Sequence, residues 1–457
     1  MVRHINTPVN LYTGVPSISV PLYTLPGRSG SVPIALSYHA AGIKVDDVPS
    51  AEGMGWSLIA GGAITRVVRD LPDEDTPNGY LNGANTGSML NSSGFLSAFS
   101  GTDGSTYWTQ YTNYADDEDY DTEPDAFYFS FPGGSGKFYL DENGNPFTVP
   151  YLDVKIEPAI GPQSVNKWII TDVNGTRYYF GESSASQETT ITEISKRDLF
   201  GGFNRYNPSD VNSQIGFNSP TTKQHISTWH LDRIEDHNGR ELFSFSYVAQ
   251  SEVANSISTE VMENITPSAG AAPTSVTKRE TLTKNRHTPK VIQTITSPDL
   301  GSVNFTYFED RLSSIKVNHN TTLRMQFDFE YIIEGDGTSY PEDDRHFLDR
   351  IIRKSTGSED DIILRDFDYN LSESLPYRGH PAVDHWGYYN AYSGPNTRIA
   401  SYVYDPGGVA REYGNTSSDK SPNLAKAKVG ILEKVNLPTG GYEEFTYELN
   451  ETYEGSR

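Results

Sequence analysis

Apolar and polar residues alternate along most of this chain, and turns centred on glycine interrupt the alternation. One device reads Trp168-Ile169-Ile170-Thr171, then Asp172-Val173-Asn174-Gly175, then Thr176-Arg177-Tyr178-Tyr179-Phe180. It returns as Leu231-Asp232-Arg233-Ile234-Glu235, Asp236-His237-Asn238-Gly239 and Phe243-Ser244-Phe245-Ser246-Tyr247. It returns again as Ile431-Leu432-Glu433-Lys434-Val435, Thr439-Gly440-Gly441 and Phe445-Thr446-Tyr447. Asn-Gly permits the positive φ angles of a tight two-residue hairpin. Alternating rings and hydroxyls place Phe and Tyr on one face of a strand and Ser and Thr on the other. The pattern predicts an all-β chain of many antiparallel hairpins, forming an extended or curled sheet with few short helices.

Further hairpins follow from the same reading. Ile18–Tyr23 and Val32–Tyr38 alternate around a turn at Gly27–Gly30, with Pro21 and Pro33 placed at edges or bulges because they cannot donate ladder hydrogen bonds. Phe127–Phe131 and Lys137–Leu140 flank Gly133-Gly134, and Asp141–Asn145 turns next. Strands are expected at Val291–Thr296, Val303–Phe308, Leu312–Val317, Met325–Ile332, Phe347–Arg353 and Ile362–Tyr369. Residues 1–70 read as an N-terminal β segment and 71–125 as a polar, acidic excursion with a short helix around Ser88–Phe99. Residues 126–457 read as a continuous hairpin-rich region that forms one unit with 1–70 in the simplest arrangement. Two further polar excursions are expected at 181–224 and 250–290, the second carrying a short helix over Val253–Ile265.

Composition narrows the function classes. The 457 residues carry a net charge of −24, which opposes binding to nucleic acid or to an anionic membrane surface. Hydrophobic residues are 35% of the chain yet aromatics reach 12%, which fits sheets with a wet face and a ring-lined buried face rather than disorder. There is no cysteine, so disulfides and thiolate metal sites are excluded. No run approaches the length of a membrane helix, and the residues after Met1 lack the apolar stretch of a signal peptide. We expect a piece of a longer polypeptide.

The segment Pro8–Tyr23 (PVNLYTGVPSISVPLY), Leu36–Asp46 (LSYHAAGIKVD) and Gly53–Gly62 (GMGWSLIAGG) resemble the N-terminal region of bacterial RHS/YD-repeat proteins, particularly large surface or secreted ones of Bacteroidota. Glu123–Phe127, Ser135–Phe138, Asp384–Asn390 (DHWGYYN) and Leu437–Gly441 extend the likeness in the same order. Tc-toxin B and C components and SpvB-type N-terminal regions are relatives of that family. The resemblance implies a β-rich segment before, or beginning, a shell of spiralling YD hairpins that encloses a C-terminal effector, often a toxin. Type IX secretion is frequent among such Bacteroidota proteins. Tyr402–Gly408 looks like one YD unit, and its Asp405-Pro406-Gly407-Gly408 is similar to the aspartate motif of cargo release in some shells; no second carboxylate for that chemistry is apparent, and Asp-Pro-Gly is a common turn.

Candidate chemistry is sparse. Gly133–Phe138 lacks the first glycine and the final Ser/Thr of a phosphate loop, and Gly53-x-Gly55 lacks the third glycine of a dinucleotide fingerprint. His380, Asp384 and His385 could serve acid–base or metal chemistry, but their spacing through Pro381 gives no common helix face; hydrogen bonding of Asp384 and His385 to backbone, with Trp386 in the core, is the simpler expectation. The run Asp116–Asp121 offers oxygens suited to Ca²⁺ without an EF-hand's glycine and glutamate positions; Asp343-Asp344 and Asp360-Asp361 offer less. No catalytic, cofactor-binding or metal residue is assigned. The expected function is a non-enzymatic structural module of an exported protein, secreted or at the cell surface. Its partners would be the remainder of the same polypeptide with its cargo and proteins of the secretion machinery or envelope. The alternatives are an adhesin or binding module for a glycan or envelope protein, and, third, a hydrolase.

Overall fold

A computed structural model describes residues 14–69, 71–75, 79–82, 121, 123–160, 165–199, 221–251, 253–268, 271–298, 300–335, 344–357, 360–392, 402–404, 411–413 and 419–449. The fold is nearly all β, built from antiparallel hairpins as the alternation predicts. β1 (Ser17–Pro26), β2 (Ser31–His39) and β3 (Trp56–Ile59) form a small sheet. The register slips between Pro21 and Tyr23, and Pro33 precedes the stretch of β2 that β3 covers, so both prolines sit where no ladder donor is needed.

The main sheet begins with β4 (Ala63–Val67), β5 (Ala126–Phe131), β6 (Gly134–Leu140) and β7 (Pro146–Thr148). It continues with β8 (Lys155–Ile160), β9 (Val165–Thr171), β10 (Arg177–Phe180), β11 (Gln187–Leu199), β12 (Thr221–Glu235) and β13 (Glu241–Ala249). Next come β14 (Val253–Ser268), β15 (Ala271–His287), β16 (Lys290–Ser297), β17 (Gly301–Phe308), β18 (Arg311–His319), β19 (Thr322–Glu334), β20 (Arg345–Lys354) and β21 (Ile362–Tyr369). A separate pair, β22 (Tyr402–Tyr404) and β23 (Arg411–Tyr413), precedes α1 (Leu424–Ala427), β24 (Leu432–Asn436) and β25 (Tyr442–Glu444).

β12 is the hub. Its N-terminal part pairs with β11, its middle with β4 and its C-terminal part with β10 and β13. From β13 a ladder runs through β16, β17, β18, β19, β20, β21 and β24 to β25. Following the pairings outward from β12 never leads back to it, so the sheet branches and stays open among the described residues. Inward residues of β1–β3 share one core with the ladder. At the hub, Phe127, Phe138, Trp168 and Trp229 are all fully buried; Phe127 stacks on Phe138 at 5.0 Å, and Trp168 meets Trp229 edge-on at 5.7 Å.

The glycine turns differ from the expected two-residue form. Asp172 bonds Thr176 through its backbone, leaving a three-residue loop in which only Gly175 has positive φ (78°). The Asp172 carboxylate accepts the N–H groups of Asn174 and Thr176, and Asp141 and Asp236 do the same in their turns. Glycine alone therefore supplies the positive φ in these turns, and the aspartate carboxylate ties the loop.

Both later excursions carry strands, and 250–290 is largely strand. β11 and the start of β12 fall within 181–224, and the helix expected over Val253–Ile265 is β14, paired with β15. Val253, Ile257, Val261 and Ile265 recur every four residues, a spacing that also repeats a strand's period of two. The β-branched residues and a complementary neighbouring strand decide the outcome. The helix expected around Ser88–Phe99 lies outside the described residues. Among those residues no helix is long and apolar enough to cross a membrane.

Candidate functional site

Three assemblies hold polar side chains in place within this fold, and the first is a set of hairpin latches. Tyr247 donates its hydroxyl to the carbonyl of Leu231 at 2.7 Å, Tyr307 to Ile292 at 2.8 Å and Tyr331 to Leu312 at 2.8 Å. Tyr369 donates to Leu348 at 2.8 Å and Tyr447 to Leu432 at 2.7 Å. Each bond closes the open end of one hairpin. Tyr247, Tyr307, Tyr331 and Tyr369 also lie opposite the residue of the next hairpin whose carbonyl takes the next latch: Ile292, Leu312, Leu348 and Leu432. A register shift directly precedes each of these four tyrosines. Such a bulge re-aims the side chain. Burial raises the pKa of all five hydroxyls above the ordinary tyrosine range, so they stay protonated donors. The unit reads Leu/Ile-x-x-Ile/Val, a turn, then Phe-x-Tyr.

The second assembly is a strap, residues 40–55, which joins β2 to β3 across the ladder. The Ala51 carbonyl accepts the Leu312 N–H at 2.8 Å and the Tyr331 hydroxyl at 3.2 Å. The Met54 N–H donates to the His346 carbonyl at 2.8 Å. His346 lies 2.8 Å from the Ser50 carbonyl through Nε2, which must therefore carry the proton. Burial pushes the His346 pKa down to about 4, keeping the ring neutral. Arg345, also buried, donates to the carbonyls of Val45 and Pro376 at 2.8 and 2.9 Å. Trp56 Nε1 donates to the Tyr369 hydroxyl at 2.8 Å, tying β3 to a latch. The Gly53-Met54-Gly55-Trp56 motif is thus a docking surface for backbone on backbone.

The Asp384–Tyr388 loop seats against the same strap. Asp384 accepts the N–H groups of Trp386 and Tyr388 at 2.9 and 3.0 Å, and the Tyr388 hydroxyl donates to the Ala41 carbonyl at 2.8 Å. His380 accepts the Ala382 N–H through Nδ1. Against expectation, Trp386 is 61% exposed, and His385 is exposed too. The loop buries Ala382 and Val383 in their place and turns the Gly387 carbonyl inward to Val45. Asp384 thus bonds backbone as expected, whereas His385 and Trp386 face outward.

The third assembly is a buried charge knot. Arg66 of β4 forms a bidentate pair with Glu74 and bonds Asp125 through Nε at 2.6 Å. Asp125 also accepts the N–H groups of Arg69 and Asp73, while Asp73 accepts the Asp125 N–H. Arg66, Asp73, Glu74, Asp121 and Asp125 are all buried. Burial works against the Arg66 charge, but Glu74 and Asp125 outweigh it and raise its pKa. Burial, then the nearby Asp125 charge, holds the Asp73 carboxyl well above the usual range, and its Oδ2 has no hydrogen-bond partner among the described residues. Burial and Arg66 push the nearby His225 down to about 4.

The remaining sequence candidates are scattered. Asp121, the last of the acidic run, accepts the N–H groups of Glu123 and Tyr80, whereas 116–120 lie outside the described residues. Asp360 is exposed and Asp361 pairs with Lys354; Asp344 is exposed, and Asp343 and Asp405–Gly408 lie outside the described residues. Gly133–Phe138 is the β5–β6 hairpin. Among the described residues no three His, Asp or Glu side chains are arranged to hold a metal ion. The latches, the knot, Glu52 and His346 are what sequence reasoning missed.

No family model and no curated protein matches this chain. Among solved structures it is similar to the N-terminal domain of effector protein SpvB from Salmonella typhimurium strain LT2, with 10% identity over 77% of this chain and 93% of that one, at a TM-score of 0.23.

Proposed function

We propose that this chain is a non-enzymatic structural module, the N-terminal part of an exported RHS/YD-repeat protein that is secreted or held at the cell surface. Its ladder begins a shell that encloses or presents a C-terminal cargo. One observation carries the reading: five hairpins are latched in series by tyrosine, and the last, β24–β25, has no strand on its outer edge among the described residues. An unpaired edge is a template for another strand. At the four inner junctions that strand brings Leu or Ile opposite the latch tyrosine; at Tyr447 the place is open among the described residues. The inward aromatic face, with Phe245, Phe305, Phe329 and Phe367 buried, suits a wall better than a binding stripe. Trp386, exposed on its pinned loop, supports a second reading as a surface for a glycan or envelope protein.

Grafting a copy of the β16–β17 hairpin after Leu449 tests the reading. The added strands should gain about tenfold or more amide-exchange protection, and replacing the graft's leading Ile with Asp should abolish it. A graft that exchanges like free peptide would contradict the proposal.

A further inference from the structure

The strap carries a carboxyl group in an unexpected place. Glu52 is 7% exposed and forms no ion pair among the described residues. It lies between the two positions that dock most closely. Ala51 receives Leu312 and Tyr331, and Gly53 abuts the backbone of His346 and Leu348. The titratable and charged groups around this part of the strap come from four strands. Tyr307 of β17 and Tyr331 of β19 both sense its charge. Arg311 of β18 is engaged with Glu309, and His346 of β20 is neutral and committed to the Ser50 carbonyl. On the strap itself, the Ser50 hydroxyl is directed to the carbonyls of Gly53 and Trp56 and also accepts the Glu52 N–H. A carboxylate here would lie near phenol groups and the Ser50 hydroxyl, with no ion pair among the described residues.

We propose that Glu52 makes the strap a pH-operated clasp, docked on the ladder while the carboxyl is protonated and released when the carboxylate forms. Burial supports this direction. It raises the Glu52 pKa from 4.5 to about 7, with the Ser50 side chain and the local backbone opposing more weakly. In the undocked strap the group meets water and returns to its ordinary value. Below that value both states are protonated and docking is at full strength. As pH rises toward 7 the undocked state ionises first, so opening is favoured about tenfold per unit. Above the docked value both states are ionised and the effect levels off. The clasp is therefore fastened in acid and loosened near neutrality. It would slacken the hold of β3 on Tyr369, which runs through Trp56. This inference does not depend on what the ladder encloses.

Hydrogen exchange on the whole chain between pH 4.5 and 8.5 tests it, after division by the intrinsic chemical rate at each pH. The reporters are the amides of Met54 and Leu312, which cross the docking surface, with the β16 amides as an internal reference. In the wild-type protein, opening at Met54 and Leu312 should rise about a hundredfold across the window and then flatten, while β16 does not follow. In Glu52→Gln, which keeps the shape but cannot ionise, opening at both amides should be flat with pH. Equal slopes in the two proteins would overturn the clasp. So would β16 amides that track Met54 in the wild type, a comparison that needs no variant.

Discussion

Arg66→Met should destabilise the protein by about 3–5 kcal/mol at neutral pH, because it leaves Glu74 and Asp125 buried without their cation. Methionine keeps an unbranched apolar stem and removes the guanidinium, so the loss reports chiefly the missing charge. The knot has no slack to absorb the change: Asp73 is close by, already disfavoured as an anion by burial and by Asp125. It ties β4 to the entry of β5 and to the 71–75 segment beside the hub aromatics, so the whole sheet should feel the loss. Urea unfolding at pH 7 measures it. The deficit should narrow in acid, where the freed carboxylates take up protons. A midpoint unchanged at pH 7 would show that the ion pairs hold nothing together.

Gly53→Ala should cost about 2–3 kcal/mol. Gly53 has φ of 106°, in the region that side chains avoid, and an added Cβ would lie 3.0 Å from the Leu348 nitrogen and 3.2 Å from the His346 oxygen. Both neighbours are backbone within β20 and cannot swing away. The strap would have to lift, breaking the Met54 and Ala51 contacts together. Gly357→Ala, where nothing lies within 4 Å, is the control and should fall within about 0.5 kcal/mol of the wild type. The same urea curves separate the two variants. Equal midpoints would mean that the strap does not press on the ladder.

Much of this architecture is legible in the chain. The hairpins at Gly27–Gly30, Asp172–Gly175, Asp236–Gly239 and Leu437–Gly441 follow from alternation plus a turn residue able to adopt positive φ. Polar strands are harder to read. Thr189, Thr190 and Thr192 in β11 count as polar in a hydropathy pattern, although their branched Cβ favours extended backbone. The knot is hidden by distance, since Arg66 and Asp125 stand 59 residues apart. A signal for it does exist: Arg66 shares inward parity with the buried Ile64, as Asp125 does with Phe127. A charged residue at an inward strand position asks for a buried partner. The latch pattern escapes notice because the turns differ in length. Tyrosine follows its carbonyl partner by 16, 15, 19, 21 and 15 residues, so no fixed period marks the repeat. Trp386 misleads because large rings usually seek the core, whereas here Asp384 fixes the turn and the ring is left outside.

The account rests on tyrosines that fasten one hairpin after another, and a set of Tyr→Phe variants at 247, 307, 331, 369 and 447 tests this most directly. Each variant removes one hydroxyl and leaves the ring in place. Urea unfolding should show a loss of about 1–2 kcal/mol at every one of the five positions. Tyr151→Phe, at a residue 84% exposed, should change stability by less than about 0.5 kcal/mol. Five latch variants that unfold together with Tyr151→Phe and the wild type would contradict the account.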